Sequence, residues 1–191
     1  AGVLELEAEA IDEVPAPAVR LVLVQALAKG GRDELAVETA TELGVDEVVP
    51  WQAERSVVVW TGDRGRRAHG KWLATVRAAA KQSRRARLPD VAEALTTAEL
   101  ARRVRECTVA GGLVLALDGD APTTLAGLRL PARATEVLVV VGPEGGIAPS
   151  ELAGLIAAGA VAVRLGPHVL RTSSAGAAAL AVLSVRIGRW G

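Results

Sequence analysis

Two hydrophobic patterns alternate along this chain. Short Val- and Leu-rich runs occur at Leu21 to Val24, Val45 to Val49, Leu113 to Leu117, Val137 to Val141 and Val161 to Leu165. Between them the apolar positions recur at helical spacing, predicting helices near 32–43, 65–86, 97–106, 149–158 and 174–187. Runs that lack polar alternation suit strands covered on both faces. The predicted fold class is therefore α/β, a mostly parallel sheet between helices. The first residues differ: Val3-Leu-Glu-Leu-Glu-Ala-Glu9 alternates with period two, as a half-exposed strand does, and Pro15 and Pro17 then break the pattern. The expected organisation is a lone strand and linker over 1–19, followed by one main domain over 20–191. Ser56 to Trp60 adds strand character, expected at an edge or in a hairpin.

Composition narrows the class. With 191 residues, half of them hydrophobic, the chain can bury a core of its own and does not read as disordered. The uncharged stretches 152–163 and 172–185 contain Gly, Ser or Thr and fall short of the roughly 18 apolar residues of a membrane span, so no membrane partner is expected. The single cysteine, Cys107, leaves no intrachain disulfide or multi-cysteine zinc site. We expect a small buried thiol, no metal and a cytoplasmic location.

Charge changes the picture more than composition does. The net charge is zero, yet residues 1–50 carry eleven acids against three bases, while Arg64 to Arg87 carries nine bases and no acid. On a helical wheel Trp72, Val76, Ala79, Ala80 and Ser83 share one side of this basic segment. Lys71, Arg77, Lys81, Arg84 and Arg85 share the other. A solvated helix face usually gains i,i+4 ion pairs, and this one has no acid to make them. Arg77, Lys81, Arg84 and Arg85 are therefore candidates for RNA phosphate contact. With no Phe or Tyr, base stacking falls to Arg planes or to Trp51, Trp60, Trp190 and the two histidines, Trp72 being assigned to the core.

Two glycine turns follow consecutive strands. Val137-Leu-Val-Val-Val-Gly-Pro-Glu-Gly-Gly146 runs into Pro149-Ser-Glu151, a helix start with Pro in the first position and an acid in the first turn. Val161-Ala-Val-Arg-Leu-Gly-Pro-His-Val-Leu-Arg-Thr172 runs into a helix of very small residues, with Ser173 or Ser174 as candidate N-cap. Such turns let a ligand lie against main-chain amides beyond the strand ends, and they serve equally as plain connections. The spacing matches neither G-x-G-x-x-G nor a Walker loop. Arg171 presents a fixed fork of donors, and His168 stands alone, without Cys, Asp or His partners.

The ordered set Lys29-Gly-Gly-Arg32, Thr41-Glu-Leu-Gly-Val45, Glu54-Arg-Ser56, Lys71-Trp72, Gln82-Ser83, Gly142-Pro-Glu-Gly-Gly146 and Leu165-Gly-Pro-His-Val-Leu-Arg-Thr172 resembles the RsmE family. These are SPOUT-class enzymes that use S-adenosylmethionine to methylate N3 of a uridine in 16S ribosomal RNA of the small subunit. The resemblance runs from residue 20 almost to the end. It departs at Ser173-Ser174, where the family commonly has Glu-Thr, at His168, where Arg is frequent, and at Glu38-Thr39, where Gln-Lys is usual.

The resemblance implies a C-terminal trefoil knot, which local rules would never suggest because knots are nearly absent from proteins. It implies a cofactor site in three loops, with Leu115, Leu117, Gly142, Glu144, Gly145, Gly146, Leu165, Gly166, Val169 and Leu170 as binding residues. It also implies a homodimer, ribosomal RNA as partner, and an N-terminal PUA-like barrel of which Val3 to Glu9 would be the last strand. Arg171 is the expected catalytic residue, stabilising or orienting the uracil. A SPOUT domain that binds RNA without catalysis is the alternative, motivated by Ser173 and Ser174.

Overall fold

The computed structural model describes residues 5, 7 and 9–191. The proposed strand Val3 to Glu9 therefore lies largely outside the described residues, and Glu5, Glu7 and Glu9 belong to no strand. The elements in chain order are β1 (Arg20–Ala26), α1 (Arg32–Glu42), β2 (Glu47–Gln52), α2 (Gly62–Gln82), β3 (Asp90–Val91), β4 (Leu95–Thr96), α3 (Thr97–Val109), β5 (Leu113–Leu117), β6 (Glu136–Val141), α4 (Pro149–Ala157), β7 (Val161–Val163) and α5 (Thr172–Arg186).

All strand pairs are parallel, in the order β3-β2-β1-β6-β5-β7, with β4 also paired to β2. The five apolar runs all become strands, β1, β2, β5, β6 and β7. Alternate residues of each strand feed two cores. Leu21, Leu23, Leu115, Val137 and Val139 pack with Val37, Trp72, Val76, Ala179 and Leu183 of α1, α2 and α5. Val22, Val24, Trp51, Val114, Leu138 and Val140 pack with Leu100, Val104 and Leu155 of α3 and α4. This double burial explains why the runs carry no polar alternation.

The helix ends follow their sequence signals. Thr96 caps α3: its hydroxyl accepts from the Glu99 amide (3.3 Å) while the Glu99 carboxylate accepts from the Thr96 amide (2.8 Å). These bonds to Thr96 hold the Glu99 carboxyl below its ordinary pKa. α4 starts at Pro149, and Glu151 accepts from the Ala148 amide at 3.3 Å. The small-residue α5 lies against α1, β1 and β6. Gly176 is the reason it can, since a Cβ there would sit 2.8 Å from Leu23 Cδ1.

Two expectations need correction. Ser56 to Trp60 forms no strand, and the edge beside β2 is taken instead by β3 and β4. The 56–60 segment is held by Gln52, whose Nε2 donates to the Val58 carbonyl and whose Oε1 accepts from the Trp60 amide, so side-chain bonds replace a ladder. Nor do Ser173 or Ser174 cap α5: the helix begins one residue earlier, at Thr172, with Arg171 as N-cap in extended backbone and no side-chain cap bond.

Candidate functional site

A cavity of about 420 Å³ opens at the carboxyl ends of β5, β6 and β7. Its walls are the turn after β5 (Leu117 to Gly119), the 142–147 loop after β6, and the 164–171 loop that leads into α5, with Arg32 at the rim. The volume falls in the range of small-molecule sites, and the placement beyond the strand ends is where open parallel sheets bind ligands.

Backbone demands fix the 142–147 loop. A Cβ on Gly142 would lie 2.8 Å from Ile147 Cγ1, 2.9 Å from the Ile147 amide nitrogen and 3.1 Å from the Gly146 carbonyl carbon, so the loop closes on itself only with glycine there. Gly146 sits at φ +72, and its amide donates to the Pro143 carbonyl at 2.9 Å.

A buried relay anchors this loop to the sheet. Thr172 Oγ1 donates to the Gly142 carbonyl (2.7 Å) and accepts from Gln25 Nε2 (2.9 Å), which also donates to the Ala26 carbonyl (3.1 Å). Gln25 lies fully buried in β1, an apolar run in which a lone amide attracts little notice. Neither Gln25 nor Thr172 stood out as a functional residue in the sequence. The signal was a single polar residue inside a strand buried on both faces.

A second contact spans the rim. Lys29-Gly-Gly-Arg32 joins β1 to α1 with Gly30 and Gly31 both left-handed, at φ +67 and +73. Arg32 Nη1 donates to Glu144 Oε1 at 2.9 Å, and the Lys29 amide donates to the same oxygen at 3.3 Å. Burial opposes ionisation of Glu144, but hydrogen bonds from its own amide, Arg32 and Lys29 bring its carboxyl below the ordinary pKa. Across the loop, Arg55 Nη1 donates to the Gly145 carbonyl at 2.8 Å.

On the far side of the 142–147 loop a buried carboxylate ties three elements together. Glu151 Oε1 accepts from Thr97 Oγ1 (2.6 Å) and from the Glu54 amide (2.8 Å), and Trp51 Nε1 reaches Thr97 Oγ1 at 3.2 Å. Trp51 is thus a fully buried structural residue and is removed from the stacking candidates. Trp60 meets Trp72 edge-to-face at 5.3 Å, leaving Trp190 as the exposed tryptophan.

Of the cofactor residues named from the sequence, Leu117, Gly142, Glu144, Gly146, Leu165, Gly166, Val169 and Leu170 line the cavity, and Arg171 lines it too. Leu115 and Gly145 do not. Leu115 is two residues back on β5, where its side chain turns into the core shared with α5. Gly145 faces outward onto Arg55, whose Cβ and Cδ lie 3.5 Å from a Cβ placed there. His168, Val169 and Leu170 are exposed at the mouth, Val169 at 90%.

The basic segment divides. Lys71, Arg77, Lys81 and Arg84 are exposed, and Lys71 has a partner from another element, Glu34 of α1 at 3.9 Å. Arg85 is a correction. α2 ends at Gln82, Arg84 turns the chain through φ 55, and Arg85 folds back so that Nη1 donates to the Thr41 and Val45 carbonyls at 2.9 and 2.7 Å. Its guanidinium is spent on carbonyls at the end of α1 and just before β2, and is not displayed to a partner.

Among the described residues there is no group of three or more His, Cys, Asp or Glu suited to a metal and no helix long and apolar enough to cross a membrane.

The model of the RNA methyltransferase domain family matches residues 15–184. A ribosomal RNA small subunit methyltransferase E of Mycobacterium bovis is 50% identical over 187 residues, 97% of this chain and 71% of that protein. This chain belongs to that methyltransferase family. Among solved structures, a methyltransferase E from Neisseria gonorrhoeae bound to S-adenosyl methionine superposes with TM-score 0.78 at 27% identity, covering 88% of this chain and 66% of that one. A methyltransferase from Legionella pneumophila, in complex with the same cofactor, gives TM-score 0.77 at 29% identity over 88% and 67% of the two chains. The parallel sheet and its terminal loops are therefore a methyltransferase E scaffold.

Proposed function

We propose that this chain transfers the methyl group of S-adenosylmethionine to N3 of a uridine in the 16S RNA of the small ribosomal subunit. The observation that carries the reading is the cavity: three loops from the carboxyl ends of neighbouring strands enclose about 420 Å³ with apolar walls and cations at the mouth. The names of the relatives support the RNA, and the two cofactor-bound neighbours support the donor. The trefoil knot goes with the same reading.

The residues present fit the cofactor. Gly146 and Gly166 leave open space beside the main chain, with no atom within 4 Å of a Cβ built on either. Leu117, Ile147, Leu165 and Leu170 supply apolar surface for the ring. When bound, S-adenosylmethionine supplies an electrophilic methyl on a sulfonium sulfur. The chain's own task is to hold a uracil in line with that methyl and make loss of the N3 proton less costly. Arg171 is the group proposed for this, placed by its N-cap position at the cavity wall. A guanidinium there stabilises the negative charge that spreads to the uracil carbonyls as N3 is deprotonated.

Arg77, Lys81 and Arg84 are proposed to contact RNA phosphate, and the active species is proposed to be a homodimer in the cytoplasm. Calorimetric titration with S-adenosylmethionine, followed by methylation of 16S RNA with mass-spectrometric location of the methyl, tests the reading. Stoichiometric binding and N3-methyluridine are expected. RNA binding without cofactor binding would instead favour the RNA-binding alternative raised by Ser173 and Ser174.

A further inference from the structure

The loop after β6 has two faces, and the cavity uses only one. Gly142, Pro143, Glu144, Gly146 and Ile147 line the cavity from within, while Gly145 turns outward under Arg55. Arg55 Nη1 donates to the Gly145 carbonyl at 2.8 Å, its only side-chain hydrogen bond among the described residues, and the residue is exposed. The guanidinium therefore keeps free N–H groups on the solvent side of a wall whose inner side faces the cavity. Its own segment is firmly held: the Glu54 amide donates to buried Glu151 at 2.8 Å, and Gln52 bonds to Val58 and Trp60.

Basic residues continue on both sides of this point. Exposed Lys29 lies on the Glu144 side of the turn, where its amide reaches Glu144 Oε1 at 3.3 Å. On the other side α2 begins at Gly62 and carries exposed Arg64, Arg67, Arg77 and Lys81 over about 30 Å. The acids nearby already have partners: Glu144 pairs with Arg32, Glu54 Oε2 accepts from Ser150 Oγ, and Asp63 pairs with Arg66. Arg55 thus stands between the cavity wall and the start of the basic helix, with its charge uncompensated.

We propose that the outer face of this turn is an RNA phosphate site, and that Arg55 is the positioning residue through which bound RNA steadies the cofactor loop. The proposal rests on the RNA reading given above. A strand running from the cavity mouth to α2 passes Arg55, and a guanidinium is suited to the place because its planar fork can hold a carbonyl with one nitrogen and a phosphate oxygen with another. A phosphate on the free side fixes the Arg55 side chain, so its bond to Gly145 holds the loop in the geometry that the cofactor needs. Less ordering is then left for the cofactor to impose, and the two ligands favour each other, by linkage to the same factor in both directions.

The test measures binding of S-adenosylhomocysteine, which has no methyl to transfer, by calorimetry with and without a saturating short single-stranded RNA of 16S sequence. RNA affinity is measured alongside as a function of salt. In the unaltered chain the RNA should tighten S-adenosylhomocysteine binding by about fivefold or more. Arg55→Gln should bring that ratio close to one and lower the salt slope by roughly one unit, the loss of one phosphate contact. Any loss of affinity in the absence of RNA cancels in the ratio. Arg55→Lys keeps the charge without the fork, so it should keep the salt slope and lose most of the coupling. A ratio of one in the unaltered chain, or an unchanged ratio or slope in Arg55→Gln, overturns the proposal. A chain that couples the two ligands as expected but forms no N3-methyluridine keeps this proposal and fails the proposed reaction, whereas N3-methyluridine with no effect of Arg55→Gln does the opposite.

Discussion

At the scale of single residues, the groups that shape the site are those whose hydrogen bonds cannot be replaced by water. Thr172 both donates to Gly142 and accepts from Gln25 at a position that is nearly inaccessible. Thr172→Val removes both bonds at almost constant volume, leaving the part-buried Gly142 carbonyl without this donor and the buried Gln25 amide with the Ala26 carbonyl alone. It should cost about 1–3 kcal/mol for each group left unsatisfied. Because the carbonyl belongs to the cofactor loop, Thr172→Val should also weaken S-adenosylmethionine binding, whereas Thr172→Ser should restore most of both properties. Urea denaturation and calorimetric titration of the two variants check this. Cys107 illustrates the opposite case, a reactive group made inert. Burial, with Glu136 nearby, pushes its thiol up to about 12, so essentially no thiolate exists at pH 8. A thiol reagent such as dithionitrobenzoate should leave the native chain unmodified at that pH and label one thiol per chain in guanidinium. Rapid labelling of the native chain would show the site to be open.

At the scale of elements, α2 and the turn after it separate two roles that the sequence runs together. Arg77, Lys81, Arg84 and Arg85 look equivalent on a wheel because the wheel assumes that the helix continues to residue 86, and it stops at Gln82. Arg77→Glu with Lys81→Glu should lower RNA affinity and reduce its salt slope by roughly one unit for each phosphate no longer neutralised, with little change in melting temperature. Arg85→Gln should do the reverse. It should destabilise the fold by about 1–3 kcal/mol, since it leaves the Thr41 and Val45 carbonyls without their charged donor, and leave the salt slope alone. Paired melting and salt-titration experiments distinguish the two. The strands and helices themselves were legible because each buries its apolar residues at a fixed period, which survives without knowledge of neighbours. Three features were not. Arg85, Gln25 and the outward turn of Gly145 depend on which distant backbone groups arrive beside them, and Thr41, Thr172 and Arg55 are 44, 147 and 90 residues away. The 56–60 segment was misread for a related reason: its β-branched residues satisfy a strand pattern, but the free edge of β2 is claimed by 90–96.

At the scale of the whole molecule, the cavity is where loops from the ends of three neighbouring strands meet. The sheet centre, β1 and β6, is held by paired ladders and by two cores. The Thr172 relay joins the start of α5 to β1 and to the loop after β6, and Arg164 Nη1 donates to the Ala121 and Pro122 carbonyls in the segment after β5. A ligand that fills this space touches loops from three strands at once and binds only the folded chain, so its binding free energy adds directly to stability. At a concentration one hundred times its dissociation constant, S-adenosylmethionine should stabilise the chain by about 2.7 kcal/mol. For a domain of this size that corresponds to a rise in melting temperature of roughly 5–11 °C. Gly142→Ala should abolish most of the rise: its Cβ meets the Ile147 and Gly146 backbone, which cannot move aside as a flexible side chain would, so the loop must open. Differential scanning calorimetry of both proteins, with ATP as an adenine-bearing control that lacks the methionine part, is the measurement. A rise of equal size in Gly142→Ala would place the cofactor somewhere other than the three-loop cavity, and one of equal size with ATP would show that the methionine part is not recognised.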